Sequence, residues 1–301
     1  MKNESIVFFG TEEFSATILK QLINAGCEIP VVVTKPDTKS GRGKKMLPPL
    51  VKTLALENKI TVLQPNQLEA AVHDIATFNC NHAVLAAYGK IVPNSILDIF
   101  PGGIVNVHPS LLPKYRGPSP IESAVLNGDS ETGVSIIKLV QAMDAGPIFD
   151  QTRISLGGSE TRPELYENLA KLGSKILIEY LPDILGGELT PQPQDEDNVV
   201  YCSIIKKSDG EINWQKPAEQ IEREIRAYQG WPGSRTQLFD QDVIILEAAV
   251  NEATLKPSET SPENQTLLVG TSEKSLEIKK LRPAGRSSMS ATEFLRGLRL
   301  I

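Results

Sequence analysis

The feature that most constrains this chain is the alternation of short apolar runs with helical stripes over its first hundred residues. Residues 5–9 form an apolar, β-rich run ending in Gly10-Thr11, as a strand and its turn would. Phe14, Ile18, Leu19, Leu22 and Ile23 then recur at helical spacing, and Gly26 closes that helix. Residues 29–34 read as a second strand. A loop rich in Lys, Gly and Pro follows through Pro49, then an apolar-striped segment over 51–56. Residues 61–63 and 83–87 are further short strands, and a helix is expected from about 66 to 78. Strands alternating with helices imply an α/β fold with a mostly parallel, Rossmann-like sheet and right-handed crossovers. The first turn holds one glycine and lacks the G-x-G-x-x-G fingerprint, which argues against a bound dinucleotide.

The pattern changes near residue 190. Residues 164–185 carry a helical stripe (Leu165, Leu169, Leu172, Ile176) that Gly186-Gly187 stops. Residues 189–199 are rich in Pro, Gln and Asp and lack periodicity, as a surface linker would. Beyond them, Ala218, Ile221, Ile225 and Tyr228 mark one amphipathic helix, and β-type runs follow at 234–239, 242–248, 266–270 and 275–281. The expected organisation is therefore a domain over 1–188, a linker over 189–205 and a small C-terminal domain over 206–301. That last domain reads as a β-barrel of the OB-like kind with a helix.

Composition excludes several classes. With 301 residues and 40% apolar content the chain can build a sizeable core. No run approaches a membrane span, and the polar start Met1-Lys2-Asn3-Glu4 is not read as a signal peptide. Cys27, Cys80 and Cys202 are distant and odd in number, so reduced thiols and a cytoplasmic location are expected. Cys80-Asn81-His82 has two metal-ligand types but no partner cluster, so no metal is expected. The net charge of −6 argues against a general nucleic-acid coat. Even so, residues 35–52 carry six positive side chains against Asp37 alone, enough for a local polyanion contact.

The chemistry concentrates in Asn106-Val107-His108-Pro109-Ser110-Leu111-Leu112-Pro113, which follows the apolar run Gly103-Ile104-Val105. A strand ending there presents Asn106 and His108 on one face, because strand side chains alternate with period two. Lys114-Tyr115-Arg116-Gly117 then makes a tight basic turn at the carboxyl end of that strand, where open α/β sheets bind ligands. Asp144 lies 36 residues beyond His108, in Asp144-Ala145-Gly146-Pro147. It is either a turn carboxylate or the partner of the imidazole. An amide that donates to a developing oxyanion, an imidazole that moves a proton and a carboxylate that orients it can together handle an acyl carbon.

Asn-x-His-x-Ser-Leu-Leu-Pro with a later Asp-x-Gly resembles the pattern of the 10-formyltetrahydrofolate-dependent formyltransferases. The likeness extends over nearly the whole chain. Residues 7–11 with Phe14 resemble the family's opening strand and turn, and residues 86–93 (Ala-Ala-Tyr-Gly-Lys-Ile-Val-Pro) its folate-pocket segment. Gly128-Asp129 and Glu131-Thr132-Gly133-Val134 also fit. The Asn-x-His-Pro-Ser-Leu-Leu-Pro wording is shared with the glycinamide ribonucleotide enzymes, which typically lack the second domain and the basic insert. UDP-sugar formyltransferases share the core and a following domain, but usually not the loop Gly41-Arg42-Gly43-Lys44-Lys45. Methionyl-tRNA formyltransferases resemble this chain in both places, including Ile212-Asn213-Trp214, Ile225-Arg226-Ala227, Trp231-Pro232-Gly233 and Arg282-Pro283-Ala284-Gly285. Two positions depart from the pattern: Glu12, where proline is common, and Pro109, where the tRNA enzymes more often carry glycine or alanine.

The resemblance implies transfer of a formyl group from 10-formyltetrahydrofolate to the α-amino group of initiator methionyl-tRNA, by a monomer and without a metal. Asn106, His108 and Asp144 would be the catalytic residues. Tyr88, Gly89, Lys90, Ile91 and Val92 would wall the pterin, and Ser110, Leu111, Leu112 and Pro113 would lie along the folate. Lys35, Arg42, Lys44 and Lys45 would meet the tRNA, since glycines admit a close backbone approach while Lys and Arg neutralise phosphate. Lys206 and Lys207 would either track the tRNA backbone or be plain barrel surface. The second domain would position tRNA and carry no chemistry of its own.

Overall fold

The computed structural model describes residues 4–40, 45–263 and 265–300. By contact density the chain forms two compact units, neither continuous in sequence. Unit 1 holds residues 1–120, 132–154 and 166–202; unit 2 holds 121–131, 155–165 and 203–301. Each is described on its own.

Unit 1 is built on a seven-stranded sheet. Its strands are β1 (Ile6–Gly10), β2 (Val31–Val33), β3 (Thr61–Leu63), β4 (His82–Ala86), β5 (Gly103–His108), β6 (Glu131–Lys138) and β7 (Ile148–Ser155). They lie in the order β7-β6-β5-β4-β1-β2-β3. The pairs β3·β2, β2·β1, β1·β4 and β4·β5 are parallel, and β6 joins β5 antiparallel. The chain builds outward from β1 to β3, then returns to the other side of β1 at β4. That reversal opens a crevice at the carboxyl ends of β1 and β4, where ligands sit in such sheets. β1, β2 and β4 are buried along their whole length, which is why they read as continuous apolar runs rather than alternating ones.

α1 (Glu13–Asn24) makes the crossover from β1 to β2, and α2 (Leu50–Glu57) lies in the one from β2 to β3. α1 buries Phe14, Ile18, Leu19 and Leu22, the stripe that the sequence marks. The helix expected over 66–78 is shorter than its periodicity suggests. A 3-10 turn at Leu68–Ala71 precedes an α segment at Val72–Ala76. Leu68, Ala71 and Ile75 are buried at helical spacing, but the carbonyls of Pro65 and Asn66 accept from Lys90 Nζ at 3.0 and 2.9 Å instead of starting a helix. The long helix runs over Arg162–Leu185. Within unit 1 its Gly173 lies directly on the sheet, since a Cβ there would stand 2.8 Å from Val107 Cγ1.

Residues 189–202, read from sequence as linker, are anchored to unit 1. Gln192 bridges Ile148, and a short strand at Val200–Tyr201 pairs with Lys114–Arg116. Among the described residues no helix is long and apolar enough to cross a membrane.

Unit 2 contains an antiparallel sheet packed on helix Ala218–Ala227. Its strands, in spatial order, are Ser234–Leu238, Gln241–Asn251, Ser275–Pro283, Thr266–Gly270 and Thr260–Glu263, with Met289–Ser290 added beside Ser275–Pro283. Register shifts between Ile245 and Ala248 mark a bulge in the longest strand, which bends the sheet over its core. That core holds Trp214, Ile221, Ile225, Val243, Leu276 and Phe294 among others. The expected small β-domain is present as a curled antiparallel sheet, with a second helix, Ala291–Gly297, on the same core beside the expected one.

Gly10 ends β1 where no larger residue fits: a Cβ there would stand 2.6 Å from Ser15 Cβ and 2.7 Å from Phe8 Cε1. Gly10→Ala should therefore destabilise unit 1 by about 1–3 kcal/mol, read as a lower urea midpoint at unchanged slope.

Candidate active site

Asn106 and His108 occupy the last turn of the pleat in β5, and both are 5% exposed. Their neighbours fix them in register: Asn106 lies between Leu85 of β4 and Ile137 of β6, and His108 opposite Ser135 of β6. Asn106 makes no side-chain hydrogen bond with any described residue, so its amide is uncommitted. His108 is committed on one side. Its Nε2 lies 3.0 Å from the Tyr115 carbonyl, which can only accept, so this nitrogen carries a hydrogen. The opposite nitrogen, Nδ1, faces Asp144 Oδ1 at 3.6 Å. Asp144 is anchored in turn, since its Oδ2 accepts from the Gly117 N–H at 2.8 Å. The structure thus brings Asn106, His108 and Asp144 to one end of one strand.

This geometry depends on the turn after β5. Tyr115 has φ 64° and Gly117 φ 122°, and a Cβ on Gly117 would stand 2.6 Å from the Cys202 carbonyl oxygen. The left-handed turn aims the Tyr115 carbonyl and the Gly117 N–H at the histidine and the aspartate. Ser110-Leu111-Leu112-Pro113 leads into it through a cis Leu112-Pro113 bond. Ser110 is fully buried, and its hydroxyl donates to the Lys114 carbonyl at 2.7 Å. Its side chain therefore shapes the turn, as does buried Leu112; Leu111 and Pro113 are half-buried. Ser135 staples the segment from β6: its Oγ donates to the Ser110 carbonyl at 2.6 Å and accepts from the Leu112 N–H at 3.1 Å. Gln151 adds bonds from Nε2 to the Leu112 carbonyl at 2.7 Å and to Ser135 Oγ at 2.8 Å.

The segment after β4 also presents mostly backbone. Tyr88 is 1% exposed and meets Phe9 edge-on at 5.7 Å. Among the described residues its hydroxyl has no partner, and burial pushes its pKa up to about 12. Its carbonyl accepts from Thr11 Oγ1 at 3.0 Å, which ties the β1 turn to this segment. Lys90 is spent on the Pro65 and Asn66 carbonyls, and Val92 is buried. Gly89 and Ile91 face outward, Ile91 at 79% exposure. Val140 and Met143, just before Asp144, are also exposed apolar residues.

Only part of the basic segment falls within the described residues. Lys35 lies against Gly89: a Cβ on that glycine would collide with the Lys35 ammonium. Arg42 and Lys44 lie outside the described residues, and of Lys45 only the backbone is described, paired with Ser40. Lys206 and Lys207 are exposed in unit 2. Among the described residues no group of three or more His, Cys, Asp or Glu is arranged to hold a metal. Several contributors escaped the sequence reading: the Tyr115 carbonyl, the Gly117 N–H, Ser135, Gln151 and Gln194. The basic turn marks the place of the first two but not their backbone role, and nothing in the sequence marks the other three.

A carboxylate, an imidazole and a free amide at the carboxyl edge of a parallel sheet form an arrangement capable of acyl-group chemistry. The chain belongs to the formyl transferase family: residues 4–181 match its "Formyl transferase" model and residues 204–299 its "Formyl transferase, C-terminal domain" model. It is 40% identical over 308 aligned residues to a methionyl-tRNA formyltransferase of Dehalococcoides mccartyi, covering 99% of this chain and 97% of that one. It is 37% identical to the methionyl-tRNA formyltransferase of Thermodesulfovibrio yellowstonii, over 99% and 97% of the two chains. The fold is also that of HypX from Aquifex aeolicus, solved with tetrahydrofolic acid, at a TM-score of 0.69 and 14% identity. That match covers 98% of this chain but 47% of HypX.

Ser135→Ala would leave the Leu112 N–H and the Ser110 carbonyl without their buried partner. It should destabilise the protein by about 1–3 kcal/mol, visible as a lower denaturant midpoint.

Proposed function

We propose that this protein transfers the formyl group of 10-formyltetrahydrofolate to the α-amino group of initiator methionyl-tRNA. The observation that carries the chemistry is the His108 to Asp144 pair beside the uncommitted Asn106 amide. The acceptor is carried by the named relatives, which match this chain over nearly their full length, both domains included.

The geometry supports the following course. An α-amine titrates at about 7.7–8.0, so its neutral, nucleophilic form is accessible near neutral pH. It attacks the formyl carbon on N10, and negative charge develops on the formyl oxygen. The Asn106 amide donates to that oxygen. His108 holds its hydrogen at Nε2 for Tyr115, so Nδ1 is the position that accepts the amine's proton. The resulting imidazolium lies between two acceptors, the Tyr115 carbonyl and the Asp144 carboxylate. Collapse of the tetrahedral intermediate breaks the bond to N10, which leaves carrying the proton that the imidazolium gives up, so that His108 is neutral again. No step uses a metal.

Folate binding in this reading uses the crevice beside β4. Exposed Ile91, Val140 and Met143 offer apolar contact to a flat ring, while the backbone at 88–92 offers polar groups. Ser110–Pro113 supports the folate from below as a rigid turn. Lys35, Arg42, Lys44 and Lys45, with Lys206 and Lys207, contact tRNA phosphates. The working division is catalysis by residues 1–188, connection by 189–205 and tRNA positioning by 206–301. The protein acts as a monomer in the cytoplasm.

The test is formyl transfer from 10-formyltetrahydrofolate with methionyl-tRNA, glycinamide ribonucleotide and a UDP-amino-sugar in parallel. Transfer to methionyl-tRNA alone is expected; transfer to either small amine instead overturns the acceptor assignment. The KM for tRNA should rise steeply with added salt, because phosphate contacts release counterions, while the KM for the folate should change little.

A further inference from the structure

Gln194 is 9% exposed, in a stretch that reads as a polar surface linker. Both ends of its amide are in use. Oε1 accepts from Arg116 Nε at 3.0 Å and from Nη2 at 2.8 Å. Nε2 donates to the backbone carbonyls of Asp144 and Gly146, each at 2.7 Å. Arg116 is itself 2% exposed, and its outer edge meets Glu196 Oε1 at 2.7 Å and Oε2 at 3.2 Å.

The loop so held has little freedom of its own. Asp144 has φ 49°, a left-handed conformation that a non-glycine residue keeps only when its surroundings impose it. A Cβ on Gly146 would collide with the Lys138 carbonyl oxygen, so the chain there lies directly against the end of β6. The carboxylate is fixed at one oxygen by the Gly117 N–H. The backbone behind it is fixed by Gln194. Arg116 sits between the two residues that hold His108 and Asp144, so one turn carries both the catalytic contacts and the anchor of the clamp.

We propose that Gln194, braced by Arg116 and Glu196, is a positioning residue that holds the Asp144 carboxylate opposite His108 Nδ1. The segment after residue 188 thereby sets the rate of chemistry in addition to joining two parts of the chain. This inference rests on the formyl-transfer reading of Asn106, His108 and Asp144. Displacement of a reacting group by about 1 Å can cost roughly a hundredfold in rate.

The discriminating variant is Gln194→Glu. It keeps the volume and the acceptor oxygens for Arg116, but puts an oxygen where Nε2 now donates to the Asp144 and Gly146 carbonyls. It is measured beside wild type, Asp144→Asn and the double variant, with kcat and KM for both substrates. Q194E should lower kcat by roughly tenfold to a hundredfold and leave both KM values within about twofold. The double variant should be no slower than D144N, because both changes disable the same carboxylate. Amide hydrogen exchange over residues 142–148 should speed up in Q194E, while β1 and β4 keep their protection. A kcat within about twofold of wild type, or penalties that multiply in the double variant, overturns the clamp. If Q194E does not fold, Gln194→Asn replaces it, keeping the amide but shortening its reach to Arg116 and the two carbonyls; a kcat lowered by roughly threefold or more supports the clamp, and an unchanged kcat overturns it. A wild type inactive on methionyl-tRNA counts against the proposed acceptor alone. The clamp is then decided by the exchange at 142–148, where unchanged protection contradicts it.

Discussion

The site depends on one short turn gripping two side chains from different parts of the chain. The Tyr115 carbonyl takes the Nε2 hydrogen of His108, and the Gly117 N–H takes one oxygen of Asp144. Neither bond uses a side chain of the turn, so the grip is set by backbone conformation: φ 64° at Tyr115 and 122° at Gly117. Without the first bond the imidazole loses its orientation. Without the second, Asp144 loses its fixed oxygen, and only the hold of Gln194 on its backbone remains to keep the pairing across 3.6 Å. The rest of the architecture supports this turn. Ser135 and Gln151 staple the residues before it, Val200–Tyr201 pairs along it, and Arg116 ties its middle to Gln194.

The buried Arg116 shows how a costly group is tolerated. A desolvated guanidinium is stabilised only if its donors are met. Glu196 raises its pKa further above the usual arginine value and is itself held below the usual carboxylate range by the same bond. Glu196 is largely exposed, so salt and solvent weaken that pair. The inner pairing with Gln194 lies out of water and supplies the geometry. A neutral amide suits this place, because it accepts from the arginine and donates to two carbonyls at once.

The sequence made the frame legible and the supports much less so. β1, α1, β2 and the shared face of Asn106 and His108 followed from periodicity, because burial against a sheet imposes periods of two and 3.6. The helix expected over 66–78 shortened because Lys90 claims the carbonyls that would begin it, a tertiary contact that local spacing does not contain. β6 and β7 had no clear reading: β6 is buried over most of its length and shows no alternation. The role of Tyr115 was invisible because it belongs to a carbonyl, which every residue has. Gln194 was missed because its partner is 78 residues away and its surroundings look solvated. Tyr88, expected against the pterin, turned its ring into the core and left its backbone at the crevice.

The central claim is that the uncommitted Asn106 amide stabilises the oxyanion formed as the amine attacks. Single-turnover formyl transfer by Asn106→Ala tests it most directly, since it isolates chemistry from binding and product release. The account predicts a rate lower by roughly 10²–10³, with an unchanged denaturation midpoint and unchanged folate affinity. A single-turnover rate equal to that of the wild type contradicts it.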